Sequence, residues 1–274
     1  MKIHLISDIH IEMDKNLRLT APAEADVIIV AGDLANGTDG ITWIQENYSS
    51  EKTVIYIAGN HEFYDHEISV TKDITKAAAE TDNIHFLDNQ SVVIDGIRFI
   101  GTTLWTSFND WADEGVIDYL HVQMNDYNYI KATEFYANEK LVAQAMLIQK
   151  DFLSHNSAKR QHLMPVITYL LHLDAVQYLK TELGKPYDGK TIVVSHHAPS
   201  YNSVNPAKME YEDAYASALD GLIIAHQDVI TAWFHGHLHV PVNYTICGVP
   251  VISNPRDYPF YAWDPSVKEF IFEV

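Results

Sequence analysis

Aspartate, asparagine and histidine recur in short polar clusters along this chain, and these residue types commonly bind metal ions. The clusters contain seven candidate ligands, which are Asp8, His10, Asp33, Asn60, His196, His237 and His239. All are oxygen or nitrogen donors, a set that suits manganese, iron, zinc, cobalt or nickel. Seven ligands are too many for one ion and suffice for two. A carboxylate shared between two ions would hold them roughly 3.5–4 Å apart, as in two-metal hydrolytic sites.

Each cluster directly follows a segment that is predicted to be a β-strand. The five predicted strands are residues 2–6, 26–31, 53–58, 191–195 and 229–234. Ligands gather at the carboxyl ends of strands in α/β sheets, because loops from neighbouring strands converge there. A single Asp at a strand end is usually a turn or cap residue, and a lone His is usually a surface group. Polar clusters at the ends of five strands favour a shared metal site instead.

The remaining pattern predicts an α/β protein. Helices are expected over residues 37–50, 67–80, 165–183 and 211–226, and short strands over 84–101 and in the tail after 242. Between residues 106 and 163 Tyr, Asn, Asp, Gln and Lys become common, which indicates a helical insertion. No Pro/Gly/Ser-rich linker borders it, so we expect one domain over residues 1–274. The aromatic segment 124–129 could cover a substrate, but packing of the insertion is the favoured interpretation.

The composition limits which binding partners and which cellular compartment we expect. The chain has 18 Lys and Arg against 37 Asp and Glu, a formal net charge of −19. Such a surface repels duplex nucleic acid, whereas a compact phosphate ester can still bind where metal ions reverse the local field. Cys247 is the only cysteine, which suits a reducing compartment. Neither a signal peptide nor a membrane span is predicted, so we expect a cytoplasmic protein without membrane contacts.

The clusters occur in an order that resembles a known family. The motifs are Asp8-Ile9-His10, Gly32-Asp33, Gly59-Asn60-His61-Glu62, Val193-Val194-Ser195-His196 and Gly236-His237-Leu238-His239. They resemble the signature set of calcineurin-like metallophosphoesterases. Gly-Asp alone is weak evidence, but Gly-Asn-His-Glu followed by Gly-His-x-His is strong. The resemblance implies a four-layer βαββα sandwich, in which two mixed sheets are flanked by helices.

The resemblance also assigns roles to the ligands. It places Asp8, His10 and His239 on one ion, Asn60, His196 and His237 on the other, and Asp33 between both. Two divalent ions are therefore expected, with manganese favoured and iron, zinc, nickel or cobalt as alternatives. The implied activity is hydrolysis of phosphate esters by a metal-bridging hydroxide nucleophile.

Three further residues are expected to contact the substrate or to support the ligands. His61 would donate a proton to the leaving oxygen and, with Asn60, contact the substrate. Glu62 is expected to orient a ligand or to cap the following helix. Arg256 could make bidentate contacts to a substrate phosphate, or it could form an ordinary salt bridge. His197 and His235 neighbour the ligands but are left out of the metal set, because loop side chains point in different directions.

Departures from the family pattern restrict the substrate. Leu34-Ala35-Asn36 follows Gly32-Asp33, whereas protein phosphatases of this superfamily carry an Asp-Arg pair there. Purple acid phosphatases place a tyrosine where Asn36 stands. Small phosphate esters remain as expected substrates, with phosphodiesters favoured over monoesters.

Two alternatives to this function and the oligomeric state stay open. A single-strand nuclease could use the same centre, although Lys159-Arg160 is the nearest approach to the basic cluster that it would need. A non-catalytic metal-binding interaction module would be expected to lose ligands, and this chain retains them and His61.

Overall fold

A computed structural model of the chain describes residues 1–153, 161–205, 211–260 and 269–274. Its strands form two mixed sheets flanked by helices, so the predicted fold class is confirmed. The basic pair Lys159-Arg160 lies outside the described residues. The strands are β1 (Lys2–Ile6), β2 (Val27–Ala31), β3 (Thr53–Ile57), β4 (Ile84–Phe86), β5 (Gln90–Ile94), β6 (Ile97–Thr102), β7 (Lys190–Ser195), β8 (Ile230–His235), β9 (Val242–Ile246), β10 (Val249–Ser253) and β11 (Ile271–Glu273).

The two sheets each have a parallel centre with antiparallel strands at the edges. The first sheet has the order β11-β1-β2-β3-β4, in which only β11 runs antiparallel. The second has the order β5-β6-β7-β8-β10-β9, in which β5 and β9 are antiparallel edge strands. The parallel strands β1, β2 and β3 therefore end at one edge, and β7 and β8 end at one edge of the other sheet.

Alternate residues of the strands enter different layers of the core. Leu5 and Ile29 of the first sheet pack against Phe234 of the second, in the layer between the sheets. The neighbouring residues in β1 and β2 point the opposite way, toward the helices that cover the first sheet. Val193 of β7 packs with Leu179 on the outer face of the second sheet. Because both faces are buried, these strands are almost continuously apolar in sequence.

The helices, in chain order, are α1 (Asp39–Asn47), α2 (Thr71–Ala78), α3 (Phe108–Trp111), α4 (Glu114–Gln123), α5 (Asp126–Tyr129), α6 (Thr133–Tyr136), α7 (Glu139–Ile148), α8 (Pro165–Leu183) and α9 (Asp220–Ala225). The long helix α8 begins at Pro165 and is followed by Gly184, as predicted. The short α3 is irregular, with all four residues at positive φ. The predicted helices at 37–50 and 67–80 are shorter in the structure.

The helix predicted over residues 211–226 is wrong for most of its length. The structure has a 3₁₀ turn at Glu212–Ala214 and then α9. Between them, the backbone nitrogen of Ala198 donates to Tyr215 O at 3.1 Å, and Ser217 N donates to Ala198 O at 3.1 Å. These bonds pair the segment with the loop after β7 and replace the hydrogen bonds of a continuous helix.

The segment 106–163 contains α3 to α7 and is joined to the loop after β3 by backbone hydrogen bonds. Asp65 N donates to Tyr129 O at 2.9 Å, Lys131 N to His66 O at 2.9 Å, and Ile68 N to Lys131 O at 2.7 Å. The insertion is therefore attached beside the polar motif that contains Asn60.

Candidate metal centre

The loops that follow β1, β2, β3, β7 and β8 meet at the junction of the two sheets, and they bring all seven candidate ligands together. Ligand atoms within 4.8 Å of one another form three groups, of which one comprises His10, Glu12 and His61 and the other two consist only of candidate ligands. The first of these two comprises Asp8, His10, Asp33 and His239, and the second comprises Asp33, His196 and His237. Asn60 joins the second group, because its Oδ1 lies 3.1 Å from His196 Nε2. Asp33 is the residue that belongs to both groups.

The Asp33 carboxylate lies between the groups with one oxygen toward each. Its Oδ2 lies 3.8 Å from His10 Nε2, and its Oδ1 lies 3.3 Å from His196 Nε2. In the first group His239 Nε2 lies 3.5 Å from Asp8 Oδ1. Asp33 is 1% exposed and Asp8 is fully buried, so both carboxylates need a cationic partner or hydrogen-bond donors.

The imidazole rings are held from behind through their Nδ1 atoms. His10 Nδ1 lies 3.0 Å from Glu12 Oε1, and His239 Nδ1 lies 2.8 Å from Asp257 Oδ1. His196 Nδ1 lies 2.9 Å from the carbonyl oxygen of Ala31. Each of these partners is an acceptor, so Nδ1 carries the proton and Nε2 turns a lone pair toward the centre. This arrangement is usual for histidines that ligate metal ions.

Several buried atoms of the centre fit a divalent cation. His10 Nε2 and His239 Nε2 face each other at 3.2 Å, and two lone pairs at this distance repel unless a positive charge lies beside them. Asp8 Oδ2 and His237 Nε2 are buried without a hydrogen-bond partner among the described residues. A buried polar group left unpaired costs about 1–3 kcal/mol. Divalent ions would satisfy all four atoms, so these residues fit the metals that the motifs predict.

The electrostatics of the centre also favour added positive charge. Burial raises the pKa of Asp33, but the imidazoles of His196 and His61 outweigh it and hold that pKa well below its usual range. Burial lowers the pKa of His196, but Asp33 and Asp8 outweigh it and raise that pKa to about 9. The carboxylates therefore stabilise a positive charge at the position that a metal ion would occupy.

The loop backbone at the ligands is unusual. Five of the seven ligands have positive φ, which is uncommon for residues other than glycine and concentrates at functional sites. Gly32 has φ +85°, and a Cβ there would lie 2.4 Å from His196 Nδ1. A Cβ on Gly59 would lie 2.1 Å from Asp33 Oδ1. The glycines of two motifs are therefore needed for the close approach of the loops.

Glu62 joins the loops that follow β2 and β3. Its fully buried carboxylate accepts hydrogen bonds from the backbone nitrogens of Asp33 at 3.1 Å, Leu34 at 2.8 Å and Gly59 at 2.6 Å. The hydroxyl of Tyr56 donates to it at 2.8 Å. Burial and the neighbouring Asp33 raise the pKa of Glu62 to about 7. Of the two expected roles, the contacts match orientation of a ligand, because Glu62 caps neither of the helical turns beside it.

His61 lies at the edge of the centre and lines the cleft in front of it. Its Nδ1 lies 2.9 Å from Glu12 Oε1, and its Nε2 lies 4.0 Å from Asp33 Oδ2. The ring stacks on Tyr64 with centroids 4.2 Å apart. Burial lowers the pKa of His61, but Asp33 and Glu12 outweigh it and raise the pKa to about 9. A protonated imidazole therefore faces the cleft beside the candidate ligands.

Comparison with known proteins decides the family. The sequence profile of calcineurin-like phosphoesterases matches residues 1–241. The chain belongs to this family. It is therefore a phosphoric ester hydrolase, and its Asp and His clusters are those of a metal-dependent enzyme.

A viral relative and a bacterial structure align with nearly the whole chain. An uncharacterized protein of Acanthamoeba polyphaga mimivirus is 23% identical over 93% of this chain and 91% of its own length. The crystal structure of phosphopantetheinyl hydrolase from Mycobacterium tuberculosis aligns with a TM-score of 0.60 and 17% identity. That alignment covers 94% of this chain and 90% of the neighbour, and it shows the shared fold.

The cleft of this phosphoesterase has a volume of about 830 Å³ and opens onto the metal centre. One wall comes from α4, α5 and the turn between them, and includes Tyr119, Gln123, Met124 and Asp126. Tyr258 lies on the wall beside His239. A cleft of this size suits a small-molecule ligand. None of the helices in the described part of the chain is long and apolar enough to cross a membrane.

Three carboxylates that support the centre escaped sequence reasoning. Glu12 contacts both His10 and His61, and Asp257 contacts His239. Asp126 accepts a hydrogen bond from Asn60 Nδ2 at 2.9 Å. The position of Glu12 two residues after a ligand was a usable signal, whereas nothing local distinguished Asp126.

The expected packing of segment 124–129 holds for some of its residues. Tyr127 is 2% exposed, as packing requires. Met124 and Asp126 instead line the cleft.

Arg256 makes contacts within the chain. Its guanidinium donates to Ile9 O at 2.9 Å and to Asp14 Oδ2 at 2.8 Å. These contacts support the loop that carries Asp8 and His10, and they match the salt-bridge interpretation. A contact between Arg256 and substrate stays a prediction.

The two histidines excluded from the metal set bond elsewhere. His197 Nδ1 lies 3.1 Å from Thr103 O, and His235 Nε2 lies 2.9 Å from Ser203 Oγ. Burial lowers the pKa of His235 to about 4. Neither ring belongs to any of the three groups of ligand atoms.

Proposed function

We propose that this phosphoesterase hydrolyses small phosphodiesters in preference to monoesters, at a centre of two divalent metal ions. The observation that carries the proposal is that the candidate ligands fall into two groups that share Asp33. Asp8, His10 and His239 would hold one ion, Asn60, His196 and His237 the other, and Asp33 both. Manganese suits these oxygen and nitrogen donors, with iron, zinc, nickel and cobalt as alternatives.

Two bound metal ions would supply the Lewis acidity of this reaction, which activates water and withdraws charge from the phosphoryl oxygens. The side chains supply orientation and proton transfer. His61 donates the proton from Nε2 to the leaving oxygen, while Glu12 holds the proton on Nδ1. In the metal-free protein burial lowers the pKa of His61, but Asp33 and Glu12 outweigh it and raise that pKa to about 9, which favours the protonated ring at neutral pH. Asn60 presents its amide oxygen to the same side of the centre as His196.

The charge of the cleft lining and the volume of the cleft both support a preference for diesters. A phosphomonoester carries close to two negative charges at neutral pH, whereas a diester carries one. The cleft lining includes the carboxylates of Asp126 and Asp257, which oppose the second charge. The volume of about 830 Å³ leaves room for a second ester substituent, and Tyr119 and Tyr258 can cover it. The single, exposed Cys247 suits work in a reducing compartment such as the cytoplasm.

A matched pair of substrates tests the proposal. Bis(p-nitrophenyl) phosphate and p-nitrophenyl phosphate release the same leaving group and differ in the second ester bond. We expect elemental analysis to find two Mn²⁺ per chain after loading, and kcat/KM to be higher for the diester. Fewer than two bound ions would contradict the two-metal centre, and a higher value for the monoester would contradict the diester preference.

Two variants distinguish the proposed role of Asn60 as a metal ligand from that of His61 as a proton donor. Asn60→Ala is expected to weaken binding of one ion, because the variant lacks the amide oxygen near His196. His61→Ala is expected to keep both ions and slow turnover. Equal metal loss in the two variants would show that these separate roles are wrong.

A further inference from the structure

The insertion places a buried carboxylate against one candidate metal ligand. Asp126 of α5 is 2% exposed, and its Oδ1 accepts a hydrogen bond from Asn60 Nδ2 at 2.9 Å. An asparagine amide can be turned in two ways, with either its nitrogen or its oxygen toward a given partner. A carboxylate only accepts, so Asp126 fixes the nitrogen on its own side. The amide oxygen of Asn60 is thereby directed to the opposite side, 3.1 Å from His196 Nε2.

The same carboxylate oxygen also holds Tyr64. The Tyr64 hydroxyl donates to Asp126 Oδ1 at 2.8 Å. The Tyr64 ring stacks on the ring of His61, with an interplanar angle of 24°. One oxygen atom of the insertion therefore contacts a candidate ligand directly and reaches the proposed proton donor through a single aromatic ring.

Backbone hydrogen bonds keep Asp126 in this position beside Asn60 and Tyr64. Tyr129, three residues after Asp126, accepts from Asp65 N at 2.9 Å, and Lys131 exchanges two bonds with the segment 66–68. The loop that carries Asn60, His61 and Tyr64 is thus joined by backbone hydrogen bonds to residues 129–131, which follow Asp126 closely in the chain. A rotation of the insertion away from this loop would break both the backbone pairing and the carboxylate contacts.

We propose that Asp126 is a positioning residue of the metal centre. It presents the Asn60 oxygen for metal binding and, through Tyr64, holds the His61 ring over the cleft. The insertion then acts as part of the centre, in addition to forming a wall of the substrate cleft. This inference rests on the proposed function, since it assigns a role toward the same two ions.

Metal affinity tests the inference independently of turnover. Asp126→Ala removes the carboxylate acceptor and leaves the Asn60 amide nitrogen only its longer contact with the Tyr64 hydroxyl, at 3.3 Å. Loss of such a supporting contact typically weakens metal binding 10–100-fold, and we expect that loss at one of two sites in calorimetric titrations of the metal-free protein with Mn²⁺. Asp126→Asn retains a carbonyl acceptor without the charge, so it should recover part of the affinity.

A matched control separates positioning from simple attachment of the insertion. Glu67 Oε2 accepts from Thr133 N at 2.8 Å, so this contact also ties the insertion to the loop after β3. It does not involve Asn60, Tyr64 or His61. Glu67→Ala is expected to lower thermal stability while both sites bind Mn²⁺ with wild-type affinity.

The outcomes distinguish this inference from the proposed function. Wild-type protein that binds fewer than two ions would contradict the proposed function itself. If wild type binds two ions and Asp126→Ala matches it, or if Glu67→Ala loses as much affinity as Asp126→Ala, only the role of Asp126 is wrong. Should Asp126→Ala fail to fold, Asp126→Asn decides, because unchanged affinity at both sites would then overturn the inference.

Discussion

Substitution of Glu12 tests the proposed proton donation by His61. One of its oxygens, Oε1, lies 3.0 Å from His10 Nδ1 and 2.9 Å from His61 Nδ1. The side chain is 18% exposed, so solvent screens these contacts only in part. Glu12→Gln keeps the size of the side chain and a carbonyl acceptor but removes the negative charge. We predict that this variant slows turnover chiefly for substrates with poor leaving groups.

The expected magnitude follows from the change of acceptor. Hydrogen bonds to charged groups contribute about 1.5–3 kcal/mol, and neutral ones about 0.5–1.5 kcal/mol. The Nδ1 contact of His61 should therefore lose about 1–1.5 kcal/mol, and about 1.4 kcal/mol corresponds to a tenfold change in rate. Because the contact stabilises the protonated ring, its loss lowers the pKa of His61 and leaves less of the proton donor at alkaline pH, which matters where His61 must donate a proton to the leaving oxygen. The effect is small where the leaving group departs as a stable anion.

The assay compares two diesters that differ in leaving group. An aryl diester releases a phenolate that needs no proton, whereas an alkyl diester releases an alkoxide that does. At alkaline pH, above the lowered pKa of His61, we expect Glu12→Gln to lower kcat up to about tenfold for the alkyl diester and much less for the aryl diester. Glu46→Gln removes the same charge from an exposed position on α1 and serves as the control. His61→Ala should show the same order of effects with larger losses.

The pH dependence gives a second measure on the same variant. Burial lowers the pKa of His61, but Asp33 and Glu12 outweigh it and raise it to about 9. Activity that needs protonated His61 is therefore present at neutral pH and falls as pH rises through this pKa. Removing the charge of Glu12 lowers the pKa, so the alkaline fall should move to lower pH. Equal slowing of both diesters with an unmoved alkaline limb would refute the role of Glu12 in proton transfer.

Three other perturbations test the scaffold of the centre. Glu62→Ala strips the acceptor from three backbone nitrogens and a hydroxyl; each unpaired group costs about 1–3 kcal/mol, so thermal scanning should show a much lower Tm. Gly32→Ala should weaken Mn²⁺ binding, because its Cβ would meet the ring of His196, a proposed ligand. Gly96→Ala has a similar φ but open space around its Cβ, so it should not weaken binding. Burial lowers the pKa of His172 in the folded protein. Below about pH 6.5 this histidine binds a proton in the unfolded chain but not in the folded one. The free energy of unfolding therefore falls as pH drops. His172→Gln should reduce the loss of unfolding free energy between pH 7 and pH 5.

The strands and the clustering of the candidate ligands could be predicted because each depends on local sequence. The buried run 27–31 stops at Gly32-Asp33, and the run 53–57 stops three residues before Asn60. The parallel order of the sheets then brings their loops to one edge. The helix expected over 211–226 failed because Ala198, a residue from another loop, supplies the hydrogen bonds there. No local pattern records that partner.

The supporting contacts were harder to predict than the ligands, for a chemical reason. A metal site restricts its ligands to few residue types at fixed positions, so they appear as motifs in the sequence. The proton on Nδ1 of a ligating imidazole needs only an acceptor, and any oxygen suffices. His10 uses Glu12, His239 uses Asp257, and His196 uses the carbonyl oxygen of Ala31.

Distance along the chain adds to this difficulty. Asp126 reaches Asn60 across 66 residues, from an insertion whose position depends on backbone pairing with residues 65–68. An acceptor requirement that many residues could satisfy leaves no pattern in a single sequence. The ligands of a metal centre are thus specified by the chemistry of the ion, whereas its supporting contacts are specified by the fold. Substitutions such as Asp126→Ala and Glu12→Gln therefore test what the structure adds to the motifs.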